Sequence, residues 1–256
     1  LDVFTRKVLQ FGAILGMTFD SDDLLNLALE LSKPTEDERK VFISAFHQSV
    51  QAAIEEGILT ELFIEPDDDD EVQIYQIDPH SPYEEQSNTN GYVEYSLHQK
   101  IWRRLILSLR LDSYVQNIHK HIAMMIERQY PVLEDRYYRT NVKLFTHHKG
   151  SHDTLKTADV ALHIGNEFKN LGMTDQSVKV YDGAIELWLH EEAPDGTERV
   201  AGFSPLVLES LDEQNLVALV SLMTRLGQSL GSMAKQTQDA LNRAVDQFQN
   251  ALKVSV

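Results

Sequence analysis

Residues 158–188 read ADVALHIGNEFKNLGMTDQSVKVYDGAIELW, two helical patterns that meet at one glycine. Small side chains at Ala158, Gly165, Ser177 and Ala184 alternate with bulky Ile164, Phe168 and Tyr181. Two helices can cross closely at small positions while large side chains fill the space around the crossing. Gly172 stands where the first helix must end and the chain turn back, a place for the left-handed conformation that glycine adopts cheaply. The pattern predicts an antiparallel pair of helices over 152–171 and 174–190.

This spacing resembles the tetratricopeptide repeat (TPR). With Ala158 as the first position, Ile164 and Gly165 fall where that motif carries Leu-Gly, Phe168 takes its aromatic place and Gly172 its turn. Ser177, Tyr181 and Ala184 then supply the small, aromatic and alanine positions of the second helix. Two hallmarks depart from the motif: Ala161 replaces its Trp and Leu189 its closing Pro. Farther along, Ala244, Phe248 and Ala251 repeat the small-aromatic-alanine spacing, with Gly227 and Leu230 in the partner helix, at a separation several residues too long. Upstream, a helix over 134–149 carrying Tyr137, Tyr138, Val142 and Phe145 pairs with one over 113–129 as an entry repeat. Helices are also expected over 97–111, 206–229 and 232–253, and the longest interruption is the loop HEEAPDGTERVAGFSP. Stacked pairs of this kind form helical arrays.

The first third of the chain reads differently. Val3, Phe4, Val8, Phe11, Ile14 and Leu15 keep a helical period that Gly16 can end. Asp20 or Ser21 caps the next helix, whose acidic first turn suits the helix dipole. Thr35 with Glu38 forms a capping box for a third helix through about Glu56, closed by Gly57. Then the period changes: ILTELFIE and EVQIYQID alternate as strands, and YVEY is a short third one. Three helices followed by a strand and a long-tipped hairpin is the order of a winged helix. The fold class expected is therefore mainly α, a winged-helix domain with a small antiparallel sheet over 1–96, connecting helices over 97–131 and TPR-like repeats over 132–256.

Composition sets the outer limits. The 256 residues are 42% hydrophobic and 25% charged, ordinary for a globular protein, and they include no cysteine. That removes disulfides, thiolate zinc sites and cysteine nucleophiles, and it fits a reducing, cytoplasmic setting. No apolar run reaches the ~18 residues of a membrane span, so no membrane partner is expected. The net charge of −17 is uneven: residues 1–95 hold 21 acids against 5 Lys/Arg, whereas 96–149 hold 4 acids against 10. The overall sign argues against a general nucleic-acid binder.

The segment KVLQFGAILGMTFDSDDLLNL resembles the start of the winged helix that follows the ATPase core in signal-transduction NTPases of the STAND type. AIEEGILTEL is similar to that domain's third helix and first strand. YSLHQKIWRRLILSLRLDSYVQNIHKHIA, residues 95–123, resembles the family's aromatic-x-x-His segment followed by an apolar helix and a second His-containing helix. The likeness is closest to multidomain proteins of the soluble adenylyl cyclase type, which continue into TPR-like repeats. It implies that this chain is a piece of a longer polypeptide, with the upstream ATPase domain as its partner in cis and protein partners on its repeats. No G-x-x-x-x-G-K-[ST] loop is present, and FGAILGMTF lacks the lysine and hydroxyl that grip phosphate and Mg²⁺. ATP and Mg²⁺ would belong to the upstream region, and no cofactor is expected in this segment.

Each group of chemically able residues has a structural reading beside it. His98, Trp102, His119 and His121 would need converging partners to hold a metal. Read as packing and capping residues, His98, Trp102, Arg103, Arg104 and His119 instead form a joint between domains, with Ile101, Leu105 and Leu109 packed inward. His147, His148 and His152 read as a solvated turn. The run Asp67, Asp68, Asp69, Asp70, Glu71 lacks the spacing and central glycine of a Ca²⁺ loop, and the acids at 20–23 read as a helix cap. Lys100, Arg103, Arg104 and Arg110 are basic enough to touch DNA, but the third helix, the usual groove reader, begins Glu36, Asp37, Glu38. No G-x-S-x-G elbow appears. The expected function is a non-catalytic regulatory and protein-interaction segment, not an enzyme. The alternative is a winged-helix DNA-binding transcription regulator with TPR-like sensor repeats.

Overall fold

The computed structural model describes residues 1–66, 72–76, 92–132, 138–189 and 211–233, with isolated positions 242, 245 and 249. It is mainly helical with one small antiparallel sheet, and it divides into two compact units, Leu1–Ile122 and Ala123–Val256. The division falls inside the segment expected to connect the domains.

In the first unit, α1 (Val3–Leu15) starts where the Asp2 carboxylate accepts the Thr5 amide at 2.7 Å. A short strand, β1 (Thr18–Asp20), follows, and the Asp20 carboxylate caps α2 (Ser21–Ser32) by accepting the Asp22 amide at 2.7 Å. The α3 helix (Glu36–Glu55) opens with the expected capping box, in which the Thr35 amide donates to Glu38 at 3.0 Å. It closes at Gly57, whose φ of +67° turns the chain so that the Ile58 amide reaches the Ala53 carbonyl at 3.0 Å. Next come β2 (Leu59–Pro66), β3 (Val72–Gln76) and β4 (Tyr92–Leu97), all antiparallel in the order β1-β4-β2-β3. The core gathers Phe11 and Ile14 of α1, Leu24 and Leu27 of α2, Phe46 of α3 and Leu97 of β4. Gly12 is small for a reason: a Cβ there would lie 2.6 Å from the Phe19 ring.

Two expectations need correction here. The strand expected over YVEY runs on to Leu97, because the Leu97 amide donates to the Met17 carbonyl at 2.9 Å and that of His98 to Ile58 at 3.0 Å. Helix α4 therefore spans only Lys100–Ser108. Its orientation also differs: Ile101, Leu105 and Leu109 are 64%, 49% and 72% exposed instead of packed inward. Trp102, Arg103, Ile106 and Leu107 are half-buried in their place. In this orientation the Arg103 Nε–H donates to the Ala13 carbonyl at 2.8 Å. Ala13 lies in the last turn of α1, where carbonyls lack helical partners.

Helix α5 (Asp112–Gln129) runs through the division between the units. The second unit continues with α6 (Tyr138–Gly150), α7 (Thr154–Asn170), α8 (Thr174–Leu189) and α9 (Glu213–Met233). The α7 helix packs on α6, α8 and α9, and α8 also packs on α9. One side of α7 contributes Ala158 and Ala161 to a core with Tyr181, Ile185, Trp188, Leu222 and Leu226. Its other side contributes Val160, Ile164 and Phe168 to a second core with Ala123 and Leu144. Among the described residues no helix is long and apolar enough to cross a membrane. Tyr137, the acidic run 67–71, the loop 190–205, and Ala244, Phe248 and Ala251 of the looser repeat lie outside the described residues.

Candidate functional site

The α7–α8 crossing follows the small-large alternation closely. Ala158, Ala161, Ile164, Tyr181 and Ala184 are all fully buried. Tyr181 lies directly over Gly165: a Cβ on that glycine would sit 2.3 Å from the ring Cζ and 2.7 Å from the hydroxyl oxygen. The hydroxyl escapes the apolar core by donating to Asn166 Oδ1 at 3.2 Å. Phe168 is buried in the second core, and Gly172 holds φ +75°. The Met173 amide there returns to the Phe168 carbonyl at 2.7 Å, closing the helix. All five repeat positions, Gly165, Phe168, Gly172, Tyr181 and Ala184, are thus engaged in one helical hairpin. The α9 helix is tied to it by polar bonds: Asn215 Oδ1 accepts from Thr154 Oγ1 at 2.9 Å and from the buried Trp188 Nε1 at 3.2 Å. Buried Ser177 and Ser229 share a bond of 3.2 Å.

The residues expected at the joint are spread along one stretch of the first unit. His98 is exposed between β4 and α4 instead of opening the helix, with Nδ1 at 3.4 Å from Thr60 Oγ1. Trp102 is half-buried, Arg103 is bonded to α1, and Arg104 faces outward. His119 is half-buried on α5, and its neighbour His121 lies 3.7 Å from Glu30 of α2. Among the described residues no three histidine or carboxylate side chains come together as a metal-binding group.

The histidine turn holds at His152, which is exposed, and needs correction at its other two positions. His147 and His148 are not solvated: they are 2% and 3% exposed on α6. His148 Nε2 lies 3.2 Å from Glu127 of α5, out of line for a good hydrogen bond, while Lys156 Nζ of α7 holds the same carboxylate at 2.8 Å. Burial pushes the His148 imidazole below its usual range, against the opposing pull of Glu127. Burial alone would raise Glu127, but the bond and charge of Lys156, with His148 beside it, hold it lower than an ordinary glutamate. A polar knot therefore pins three helices together. Its carboxylate is already paired with the lysine. Sequence spacing does not reveal it, because the three residues lie on three helices.

Comparison with known protein families, with curated proteins and with solved structures finds no match for this chain. By architecture it is a mainly helical protein of two units, one carrying an antiparallel sheet and the other a helical hairpin closed around Gly165 and Tyr181.

Proposed function

We propose that this chain is a non-catalytic regulatory and protein-interaction segment of a larger signalling ATPase of the STAND type, linked to a nucleotidyl cyclase. In this reading residues 1–96 are a winged helix and residues 132–256 a TPR-like array, with 97–131 connecting them. The observation that carries it is the order of elements: three capped helices and an antiparallel sheet, then a helical hairpin whose glycine admits a tyrosine ring. That is the order in which the sequence resembles the family's regions. DNA binding finds no support in the third helix, whose exposed surface carries Glu36, Asp37, Glu38 and Glu55 against only Arg39 and Lys40. A duplex would meet like charge there.

ATP turnover tests this reading. The 256-residue chain alone should hydrolyse no ATP. The full-length protein should hydrolyse it, at a rate that changes with unchanged KM for ATP when Gly165→Ala disturbs the repeats. Hydrolysis by the chain alone, or a full-length rate indifferent to the change, would count against a regulatory segment.

A further inference from the structure

Among the described residues of its own unit the outward face of α4 has no partner, and it carries a definite chemical pattern. Ile101, Leu105 and Leu109 recur every four residues and are 64%, 49% and 72% exposed, and Leu111 just beyond is 77% exposed. They form an apolar line of about 12 Å at the helical rise of ~1.5 Å per residue. Lys100 and Arg104 are exposed along one flank and Arg110 at the end. Among the described residues neither Lys100 nor Arg104 has an ion pair or hydrogen-bond partner. From Tyr95 to Leu111 the chain contains no acidic residue. The face cannot turn inward without breaking the Arg103 bond to the Ala13 carbonyl and withdrawing Trp102, Ile106 and Leu107 from their half-buried places.

We propose that this face docks an acidic amphipathic helix of a partner protein. A line of aliphatic side chains at helical spacing is the counterpart of a helix presenting apolar anchors every three or four residues. The cationic flank selects carboxylates beside those anchors, which adds specificity and speeds encounter. An anionic membrane is the weaker fit. A bilayer is an extended surface and is opposed by the chain's overall charge of −17, whereas a single helix meets only the local patch, at distances inside the ~8–10 Å screening length. The inference stands on α4 alone and does not depend on an ATPase parent.

Fluorescence anisotropy on the full chain tests it, with a designed helical peptide whose leucines repeat every three or four residues between glutamates. Saturable binding is expected, weakened about tenfold by Leu105→Ser and again by added salt. Lys100→Glu with Arg104→Glu should reverse the preference toward the same peptide carrying lysines for glutamates. Both sites are exposed, and unchanged far-UV circular dichroism would confirm that the variants fold. Any of three results overturns the proposal: no binding, binding indifferent to Leu105→Ser, or equal binding of both peptides to the wild type. Capture by phosphatidylserine vesicles in place of the acidic peptide would also overturn it and point to lipid.

Discussion

Gly165→Ala is the most informative substitution in the second unit because two opposed effects can be weighed. In an open helix the change stabilises by about 1 kcal/mol, since alanine loses less backbone entropy than glycine. Here the new methyl would stand 2.3 Å from Tyr181 Cζ and 2.4 Å from Cε1. Tyr181 is fully buried, so the ring cannot swing into solvent without vacating the core between α7, α8 and α9. Overpacking costs typically about 1–3 kcal/mol, and such an overlap belongs at the upper end. Expelling the ring instead would cost roughly the 3–5 kcal/mol of deleting a large core aromatic. The net expectation is a loss of about 2 kcal/mol. Urea unfolding followed through Trp188, in a Trp102→Phe background so that only the second unit reports, measures it. Gly231→Ala, with open space around the added carbon, should gain up to about 1 kcal/mol in the same assay. In a Tyr181→Ala background most of the Gly165→Ala penalty should vanish, since neighbours in contact are not additive. A Gly165→Ala protein as stable as the parent, or more so, would refute the close-crossing argument.

The polar knot makes the second unit acid-sensitive. The folded-state pKa of His148 is depressed, so its unfolded form binds more protons below the ordinary value of 6.5 and stability falls as pH drops through that range. Glu127 adds a similar loss below its ordinary value of 4.5, again because its folded pKa is lowered. His148→Gln should flatten the first part of a stability-against-pH curve read by Trp188 fluorescence, and an unchanged slope would contradict the assignment. Asn215→Ala leaves the buried Trp188 N–H and the Thr154 hydroxyl without their acceptor and should cost about 1–3 kcal/mol by the same readout. Arg103→Met should lower the stability of the first unit by about 1–2 kcal/mol in urea melts followed by Trp102 fluorescence. The neighbouring Arg104→Met, an exposed site, should stay within about 0.5 kcal/mol.

What the sequence makes legible is local. Asp20, Thr35 with Glu38, Gly57 and Gly172 end or begin helices where their own chemistry dictates, since a cap is decided within one turn. The Gly165–Tyr181 crossing is legible too, because both halves of the small-large code lie in one hairpin. What escapes sequence reasoning is decided at a distance. Strand β1 spans three residues, too few for alternation to be detected, and only their pairing with Glu94, Tyr95 and Ser96 of β4 makes them a strand. Helix α4 offers two apolar stripes, and the one turned inward, Trp102, Ile106 and Leu107, is the one beside the Arg103 bond to a carbonyl of α1. His147 and His148 look like turn residues beside Gly150, yet helix packing buries both, and His148 meets a carboxylate 21 positions away.

The proposed place of this chain as the regulatory segment of a larger ATPase is tested most directly by the reading frame on the N-terminal side of Leu1. A phosphate-binding G-x-x-x-x-G-K-[ST] loop opening an ATPase domain within a few hundred residues upstream is the result expected. A frame that continues upstream for that distance without such a loop would contradict it.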